Sequence, residues 1–234
     1  MSNLRFPAFL PIACIALAAI LAVTGDLRAR EIEYEVKGGK LVVFGHVLEP
    51  VYSAPEAQAE GRVVFFHRSP DKKWIVIQSG YRIEVDLWLY NTRTNGKPVR
   101  IECEPGNHTT AKWYGSKVFE ISWGGMGYEM SQLFRVDDTR TGKRVDGMLL
   151  YEPHRDVYVS LVIDDSLSSV IEVGRAFNEQ QLERFKLDLE YEYVSEARFA
   201  INDTRIVGNK LVVTHTRLNG DKVESVFSPQ LLQQ

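Results

Sequence analysis

The residues that could carry covalent or metal chemistry lack the spacing which that chemistry requires. Ser69 and Lys72 match the pattern S-x-x-K, in which a nucleophilic serine lies one helical turn before its lysine. The intervening Pro70 and Asp71 are typical of a turn between two strands, not of a helix start. The sequence contains no G-x-S-x-G, H-E-x-x-H or C-x-x-C motif. We therefore predict no catalytic residues, no metal ligands and no cofactor.

Histidines and paired aspartates are the remaining candidates for metal binding. No two histidines have ligand spacing along one strand, and each is interpreted as a structural residue; a site built across strands stays open. Asp137 with Asp138, and Asp164 with Asp165, could ligate calcium at a loop, because hard cations take clustered carboxylates. Such pairs more often cap turns by accepting hydrogen bonds from nearby backbone amides. The histidines are His46, His67, His108, His154 and His215.

A glycine-rich stretch with flanking aromatic residues is the strongest candidate for a binding surface. Residues 124–127 read Gly-Gly-Met-Gly and lie between a tryptophan and a tyrosine. Glycines let the backbone approach a ligand closely, although the strand–turn–helix setting of a phosphate-binding loop is missing. Aromatic side chains could stack on a sugar or form a protein contact patch, or they could belong to the core. The predicted binding residues are Trp123, Gly125, Met126, Tyr128, Trp88 and Tyr90.

Alternation of apolar and polar residues with period two predicts the elements that hold these side chains. In residues 82–89, Val85, Leu87 and Leu89 share one face, as in a half-buried strand, and Trp88 and Tyr90 make the outer face aromatic. Residues 184–194 show the same rhythm, and shorter runs rich in β-branched and aromatic residues follow it. Turns are predicted at Asn95-Gly96, Gly142-Lys143, Gly208-Asn209 and Asn219-Gly220. We predict an antiparallel all-β fold, with at most one short helix near residues 178–181.

The N-terminus has the features of a removable export signal. A short polar start with Arg5 precedes an apolar stretch over residues 6–23, and cleavage after Gly25 or Ala29 fits the small residues there. We predict a signal peptide over residues 1–29, a single all-β domain over residues 30–234, and a periplasmic or secreted location. A retained membrane anchor is the alternative, because about 18 apolar residues is the lower limit for spanning a bilayer. Removal of the signal leaves Cys103 without a disulfide partner.

Internal similarity indicates a repeat architecture. Residues 91–99 (N-T-R-T-N-G-K-P-V) are similar to residues 138–145 (D-T-R-T-G-K-R-V), and residues 216–223 give a looser third copy. A period of roughly 40 to 50 residues with several strands per unit is typical of β-propeller blades, which bury their faces against neighbouring blades.

At these positions the sequence resembles TolB-type and WD-repeat β-propellers, best over residues 62–147. Residues 69–73 (S-P-D-K-K) match the S-P-D-G-K turn of such blades, with Lys72 in place of glycine. Residues 133–142 (L-F-R-V-D-D-T-R-T-G) come closest to their pattern L-x-x-x-(N/D)-x-x-T-G-x. The resemblance implies a complete or partial β-propeller, and a β-sandwich or an open barrel is the alternative.

Composition and charge narrow the class of function. The chain has 44% hydrophobic and 25% charged residues with a formal net charge of −3, which is typical of a globular domain and argues against a nucleic-acid partner. We expect an exported, non-catalytic binding or scaffold module in the cell envelope. Its partner would be another envelope protein or a glycan, with membrane contact only through an uncleaved N-terminal segment. The alternatives are a glycan-acting hydrolase or lyase with an unrecognised carboxylate pair and a small-ligand carrier.

Overall fold

The computed structural model describes residues 34–37, 40–48, 63–81, 84–103, 109–125, 128–164, 168–178, 181–190 and 194–233, and it is all-β. Within these residues, eighteen strands form five antiparallel sheets, named A to E in chain order. Each sheet consists of consecutive strands, each paired with the next along the chain. The predicted antiparallel all-β fold is confirmed. The predicted signal peptide lies outside the described residues.

The strands of the five sheets have the following bounds. Sheet A contains β1 (Tyr34–Lys37), β2 (Lys40–Val43) and β3 (His46–Leu48). Sheet B contains β4 (Val63–Arg68), β5 (Trp74–Tyr81), β6 (Glu84–Asn91) and β7 (Val99–Arg100). Sheet C contains β8 (Thr110–Tyr114), β9 (Val118–Gly125), β10 (Tyr128–Arg135) and β11 (Asp138–Asp146). Sheet D contains β12 (Met148–Glu152), β13 (Val157–Ile163), β14 (Ser168–Arg175) and β15 (Leu182–Glu190). Sheet E contains β16 (Ile201–Val207), β17 (Lys210–Thr216) and β18 (Lys222–Phe227).

Helical structure is confined to two short segments of the described chain. The helix α1 (Val194–Ala200) connects sheets D and E, and a 3-10 helix follows at Gln230–Leu232. The sequence predicted at most one short helix near residues 178–181, of which residues 179–180 lie outside the described residues; strand β15 begins at Leu182, and the described helix comes after it. No helix in the described residues is long and apolar enough to span a membrane.

Neighbouring sheets pack face to face through separate clusters of buried side chains. One cluster joins each successive pair of sheets, A with B, B with C, C with D, and D with E. Representative members in that order are Leu41 and Ile75, Leu87 and Phe119, Leu133 and Tyr158, and Leu187 with Val213. The molecule is therefore a stack of sheets in chain order, and each interior sheet is covered on both faces.

Strand β6 shows what this stacking does to the predicted strand pattern. Val85, Leu87 and Leu89 face sheet C, as the alternation predicted. Trp88 and Tyr90 on the other face pack against sheet A and are only 4% and 3% exposed. The expectation of a half-buried strand with an aromatic outer face is therefore wrong, because sheet A covers that face.

Most of the predicted turns are confirmed where the structure describes them. Asn95 lies in the connection between β6 and β7 with φ of 50°, and Gly208 and Gly220 have φ of 60° and 88° in the turns of sheet E. These left-handed conformations favour glycine and asparagine. The prediction at Gly142 is wrong, because that residue lies inside β11 and the chain turns at residues 136–137 instead.

The repeated sequence motif corresponds to a repeated turn cap. Asn91 Oδ1 accepts a hydrogen bond from Arg93 N–H at 2.9 Å, and Asp138 Oδ1 accepts one from Arg140 N–H at 2.9 Å. The first motif connects the third and fourth strands of sheet B, whereas the second begins the fourth strand of sheet C. In the third copy, Asn219 Oδ1 accepts a bond of the same kind from Asp221 N–H, although Asn219 is not the first residue of that copy. The similarity of the first two motifs therefore reflects the same side-chain-to-backbone bond in sheets B and C.

Candidate functional site

The six predicted binding residues are not on one surface. Trp88 and Tyr90 lie in the cluster between sheets A and B, where the Tyr90 ring stacks on Phe44 with centroids 4.3 Å apart. The Tyr90 hydroxyl donates to Asn95 Oδ1 at 2.7 Å. Trp88 and Tyr90 are therefore buried and do not have the surface position that their predicted binding role requires.

The glycine-rich stretch joins two long strands of sheet C. Gly125, at the end of β9, lies opposite Tyr128, at the start of β10. Met126 lies outside the described residues, as does the side chain of Tyr128. Trp123 is half-buried, packs against the cluster between sheets B and C, and lines an open groove. Trp123 is thus the predicted binding residue that the structure places at a concave surface.

This groove has a volume of about 470 Å³ and a strongly basic lining. We call it the arginine groove and define it by the residues that line it. They are Arg100, Glu102, Cys103, Trp123, Gln132, Arg140 and Arg144. Three arginines, one glutamate, one cysteine, one tryptophan and one glutamine therefore line one cavity.

The groove lies where a short edge strand of sheet B meets a long edge strand of sheet C. Strand β7 of sheet B has two residues, whereas β11 of sheet C has nine. Residues 101–103 continue from β7 to β11, where the Glu102 N–H donates to Thr139 O at 2.9 Å. The outer part of sheet C forms the floor of the groove, and this segment forms a wall.

The floor side chains are set by strand register. Gln132 on β10 lies directly opposite Arg144 on β11, and Trp123 on β9 lies opposite Met130 on β10. The Gln132 amide donates to Gly142 O at 3.1 Å, and Arg144 Nη2 lies 3.6 Å from Met130 Sδ. Because these side chains project from paired strands of one sheet, their spacing is rigid.

The electrostatics of the groove favour an anionic ligand. Arg140 Nε lies 3.8 Å from Glu102 Oε1, and Arg144 Nε lies 3.8 Å from Asp146 Oδ1. These pairs are long and exposed, with Arg140 79% accessible, and such surface pairs contribute little energy. An incoming carboxylate can therefore displace them and bind a guanidinium through two hydrogen bonds.

The arginines of the groove were missed at the sequence level. Arg140 and Arg144 are four residues apart in β11, but the pairing of β11 with β10 shifts register between them, so strand alternation in the sequence does not predict their common location. Arg100 and Gln132 reach the groove only through the packing of sheet B on sheet C, which no local pattern shows.

The aspartate pairs serve turns and surface ion pairs in the described residues. Asp138 accepts hydrogen bonds from the Thr141 hydroxyl and from the backbone N–H groups of Arg140 and Thr141, and these bonds hold its pKa below the usual value. Asp137 pairs with Arg135 at 2.9 Å. Asp164 Oδ1 accepts from Ser168 N–H at 2.9 Å; Asp165 lies outside the described residues. Within the described residues, no group of three or more acidic, histidine or cysteine side chains could hold a metal ion.

Ser69 and Lys72 form a turn, as the sequence indicated. The Ser69 hydroxyl donates to Asp71 Oδ1 at 2.8 Å and accepts from Trp74 N–H at 3.0 Å. Lys72 has φ of 60°, in the left-handed region, which explains why related turns place glycine there. These bonds hold the serine in a structural role between β4 and β5.

A buried carboxylate lies between sheets C and D. Glu120 is 7% exposed and accepts hydrogen bonds from the Tyr114 hydroxyl at 2.8 Å and from the Ser131 hydroxyl at 2.5 Å. Burial, together with the charge of Glu120, raises the pKa of Tyr114 above its usual value. Both carboxylate oxygens have protein donors, as a structural buried carboxylate requires.

Comparison with known proteins gives a structural similarity only. Neither a protein-family model nor a curated protein matches the chain. The crystal structure of TolB from Acinetobacter baumannii is similar over 92% of this chain and 57% of that chain, at 15% identity and a TM-score of 0.39. The crystal structure of a eukaryotic initiation factor is similar over 68% of this chain and 44% of that chain, at 14% identity and a TM-score of 0.35.

The chain thus spans little more than half the length of the TolB chain to which it is similar. The suspected resemblance to TolB-type propellers is confirmed as a weak similarity of fold. Five consecutive antiparallel sheets of three or four strands are compatible with a propeller-like repeat architecture.

Proposed function

We propose that the protein is an exported, non-catalytic binding or scaffold module of the cell envelope, and that it engages a partner through the arginine groove. The proposal combines the export signal read in the sequence with the basic groove on the stacked sheets. It assigns Trp123 a contact role and assigns Arg100, Arg140 and Arg144 the recognition of anionic groups on the partner.

The observation that carries the proposal is the composition of the groove. Three arginines line a cavity of about 470 Å³ that the half-buried Trp123 also lines. Tryptophan and arginine are the residue types that most often dominate binding energy at interfaces. The floor is built on hydrogen-bonded strands, so little conformational entropy is lost when a partner binds.

A crosslinked pull-down from the native envelope tests the binding role. The tagged full-length protein is compared with the double variant Trp123→Ala, Arg144→Gln and with the matched control Phe199→Ala, Arg184→Gln. Phe199 is 88% exposed on α1, and Arg184 is an exposed arginine on β15. We expect a near-stoichiometric partner that the control retains and the groove variant loses.

Absence of any reproducible partner, or a partner captured equally by the groove variant, would contradict the binding role assigned to this groove. Release of sugars from envelope glycans by the purified protein would instead favour the glycan-acting enzyme considered from the sequence. Circular dichroism and thermal unfolding of each variant show whether a loss of capture reflects a loss of folding.

Export is tested separately by the mass of the mature chain. The proposal predicts cleavage after Gly25 or Ala29, so intact-mass analysis of the protein from the envelope fraction should give one of two masses. Recovery of an uncleaved chain in the membrane fraction would support the retained anchor. Recovery of the full chain in the cytoplasmic fraction would contradict export.

A further inference from the structure

A second cavity is formed by sheets B and C beside the connection from β6 to β7. It has a volume of about 290 Å³ and is lined by Trp74 and by residues within the segments 89–99 and 136–139. We call it the Trp74 cavity. Its lining residues differ from those of the arginine groove, so the two are separate sites.

Sheet B supplies the aromatic wall of the Trp74 cavity. Trp74 on β5 lies directly opposite Asn91 on β6. Leu89 on β6 lies opposite Val99 on β7 in the same way. Cross-strand partners project from the same face of a sheet, and all four of these residues line the cavity. Trp74 is half-buried, so part of its indole packs on the cluster between sheets B and C while the rest stays accessible to a ligand.

The connection from β6 to β7 forms one side of the cavity and is held in place by hydrogen bonds. The Tyr90 hydroxyl donates to Asn95 Oδ1 at 2.7 Å, inside this connection. The Thr92 hydroxyl donates to Lys72 O at 2.9 Å, in the turn between β4 and β5. Because this side of the cavity is fixed before a ligand arrives, little conformational entropy is lost on binding.

The polar lining of the Trp74 cavity offers hydrogen-bonding groups without a net formal charge. Thr94 and Thr139 contribute hydroxyl groups, each of which can donate and accept. Among the described residues, the charged side chains that line the cavity are Lys97 and Asp137, and their formal charges cancel. The Asp137 carboxylate is also paired with Arg135 at 2.9 Å. The lining therefore favours an uncharged ligand.

We propose that the Trp74 cavity binds one hexopyranose ring of a neutral glycan. The apolar C–H face of the ring would pack on the Trp74 indole. The sugar hydroxyls would bond to the hydroxyls of Thr94 and Thr139. The amide nitrogen of Asn91 would donate to the sugar as well, since Asn91 Oδ1 already accepts from Arg93 N–H. The volume of about 290 Å³ is close to the lower limit of ligand cavities, about 300 Å³, and suits a single ring. This site does not depend on the partner of the arginine groove.

A sugar ring fits this lining better than an apolar side chain or an anion. An apolar group would cover the Trp74 indole but would leave the threonine hydroxyls without water or a partner, which costs free energy. An anion would meet one lysine together with a carboxylate, whereas three arginines line the arginine groove. A hexopyranose has both an apolar face and a hydroxylated edge, so it matches both parts of the lining.

NMR titration of the full-length protein tests the inference. The probes are the methyl glycosides of glucose, mannose, galactose and N-acetylglucosamine, and cyclohexanol serves as an apolar ring of similar size. The chain has four tryptophans, so the indole N–H signals are few, and Trp74→Phe assigns the signal of Trp74. Saturation transfer from the protein to the glycoside detects binding in variants that lack this signal.

We expect at least one glycoside to shift the Trp74 signal in a saturable manner. Trp74→Ala should abolish binding, while Trp123→Ala, at the half-buried tryptophan of the arginine groove, should leave it unchanged. Thr94→Val and Thr139→Val each remove one hydroxyl with little change of shape and should weaken binding about two- to tenfold. Thr110→Val, at an exposed position on β8, is their matched control and should have no effect.

Each other result overturns the inference in a different way. If no glycoside shifts the Trp74 signal, the cavity is not a sugar site. A shift with cyclohexanol alone would show an apolar cavity, and equal affinities of the parent and both threonine variants would remove the role assigned to the hydroxyls. A glycoside that shifts the Trp123 signal instead would place the sugar in the arginine groove. The pull-down tests that groove through Trp123 and Arg144, so failure of one proposal leaves the other standing.

Discussion

At Gly142, the backbone of β11 lies so close to neighbouring side chains that a Cβ atom has no space. A Cβ built there would lie 2.5 Å from the Phe134 ring and 2.8 Å from Gln132 Cγ. Gly142→Ala should therefore lower the free energy of unfolding by about 1 to 3 kcal/mol, the usual cost of overpacking. Urea unfolding followed by tryptophan fluorescence measures this change.

Gly96→Ala is the matched control for this substitution. A Cβ at Gly96 would meet Thr94 Oγ1 at 3.5 Å, an ordinary contact. Reduced freedom of the unfolded chain should make this variant neutral or more stable by up to about 1 kcal/mol. If both alanine variants had the same stability, the close approach of Phe134 to β11 would be wrong.

His215 couples the stability of sheet E to pH. It is fully buried, and its Nε2 forms a hydrogen bond with Ser225 Oγ at 3.1 Å. Among the described residues, its Nδ1 has no hydrogen-bond partner. Burial and the charge of Arg217 lower its pKa below 6.5, while Asp188 acts in the opposite direction. Below pH 6.5 the unfolded chain binds a proton that the folded chain excludes, so stability should decrease as the pH falls below this value.

The predicted loss of stability at low pH is tested by measuring the free energy of unfolding between pH 7.5 and 5. This range brackets the ordinary histidine pKa of about 6.5. His215→Gln does not titrate, so its stability should fall less steeply with decreasing pH than that of the parent protein. His154→Gln, at an exposed position, should keep the parental slope. His67 is half-buried and also has a lowered pKa, so part of the pH dependence should remain in every variant. Identical slopes for the parent and His215→Gln would contradict the prediction.

At the scale of the element, strand β6 shows that a sequence pattern can predict one buried face of a strand and miss the other. The alternation placed Val85, Leu87 and Leu89 on one face, and all three are buried there. The pattern could not show that sheet A covers the opposite face, because that burial depends on residues 41–48, which are distant in sequence. Polar residues on that face, such as Asp86, made it look exposed although Asp86 is 3% accessible.

Trp88→Ala tests the two-sided burial of β6. Removal of a fully packed tryptophan should lower the free energy of unfolding by about 3 to 5 kcal/mol. Phe199→Ala, at an aromatic residue that is 88% exposed, should change it by about 0.5 kcal/mol or less. Chemical denaturation of both variants gives the comparison. A small effect of Trp88→Ala would contradict the burial of Trp88 and would agree with the exposed position that the sequence suggested.

For the whole molecule, the sequence predicted the class of fold and the repeat but not the groove. β4 begins at Val63 and β8 at Thr110, which reproduces the 47-residue spacing of the motifs at Asn91 and Asp138. This repeat is visible because sheets B and C contain the same side-chain-to-backbone bond at the start of each motif. The arginine groove is lined by residues of sheets B and C near the edge strands β7 and β11, and the packing of two sheets and the length of an edge strand depend on tertiary contacts.

The outer face of the last sheet differs from the faces inside the stack. Arg205 on β16 pairs with Asp203 and, at 2.6 Å, with Glu224 of β18. The side chains of these pairs are 43% and 51% accessible, so this face of sheet E is exposed to solvent. Among the described residues, no buried cluster joins sheet E to sheet A.

A stack of this kind should lose stability locally. Leu41 is fully buried in the cluster between sheets A and B, and Leu211 is fully buried in the cluster between sheets D and E. Because each cluster contacts two sheets only, Leu211→Ala should increase amide exchange in sheets D and E, and Leu41→Ala should do so in sheets A and B. Each substitution removes about 2 to 5 kcal/mol from its cluster, and hydrogen exchange followed by mass spectrometry resolves the sheets. Equal increases in all five sheets for both variants would show that the stack unfolds as a single cooperative unit, and the nearest-neighbour description would then be wrong.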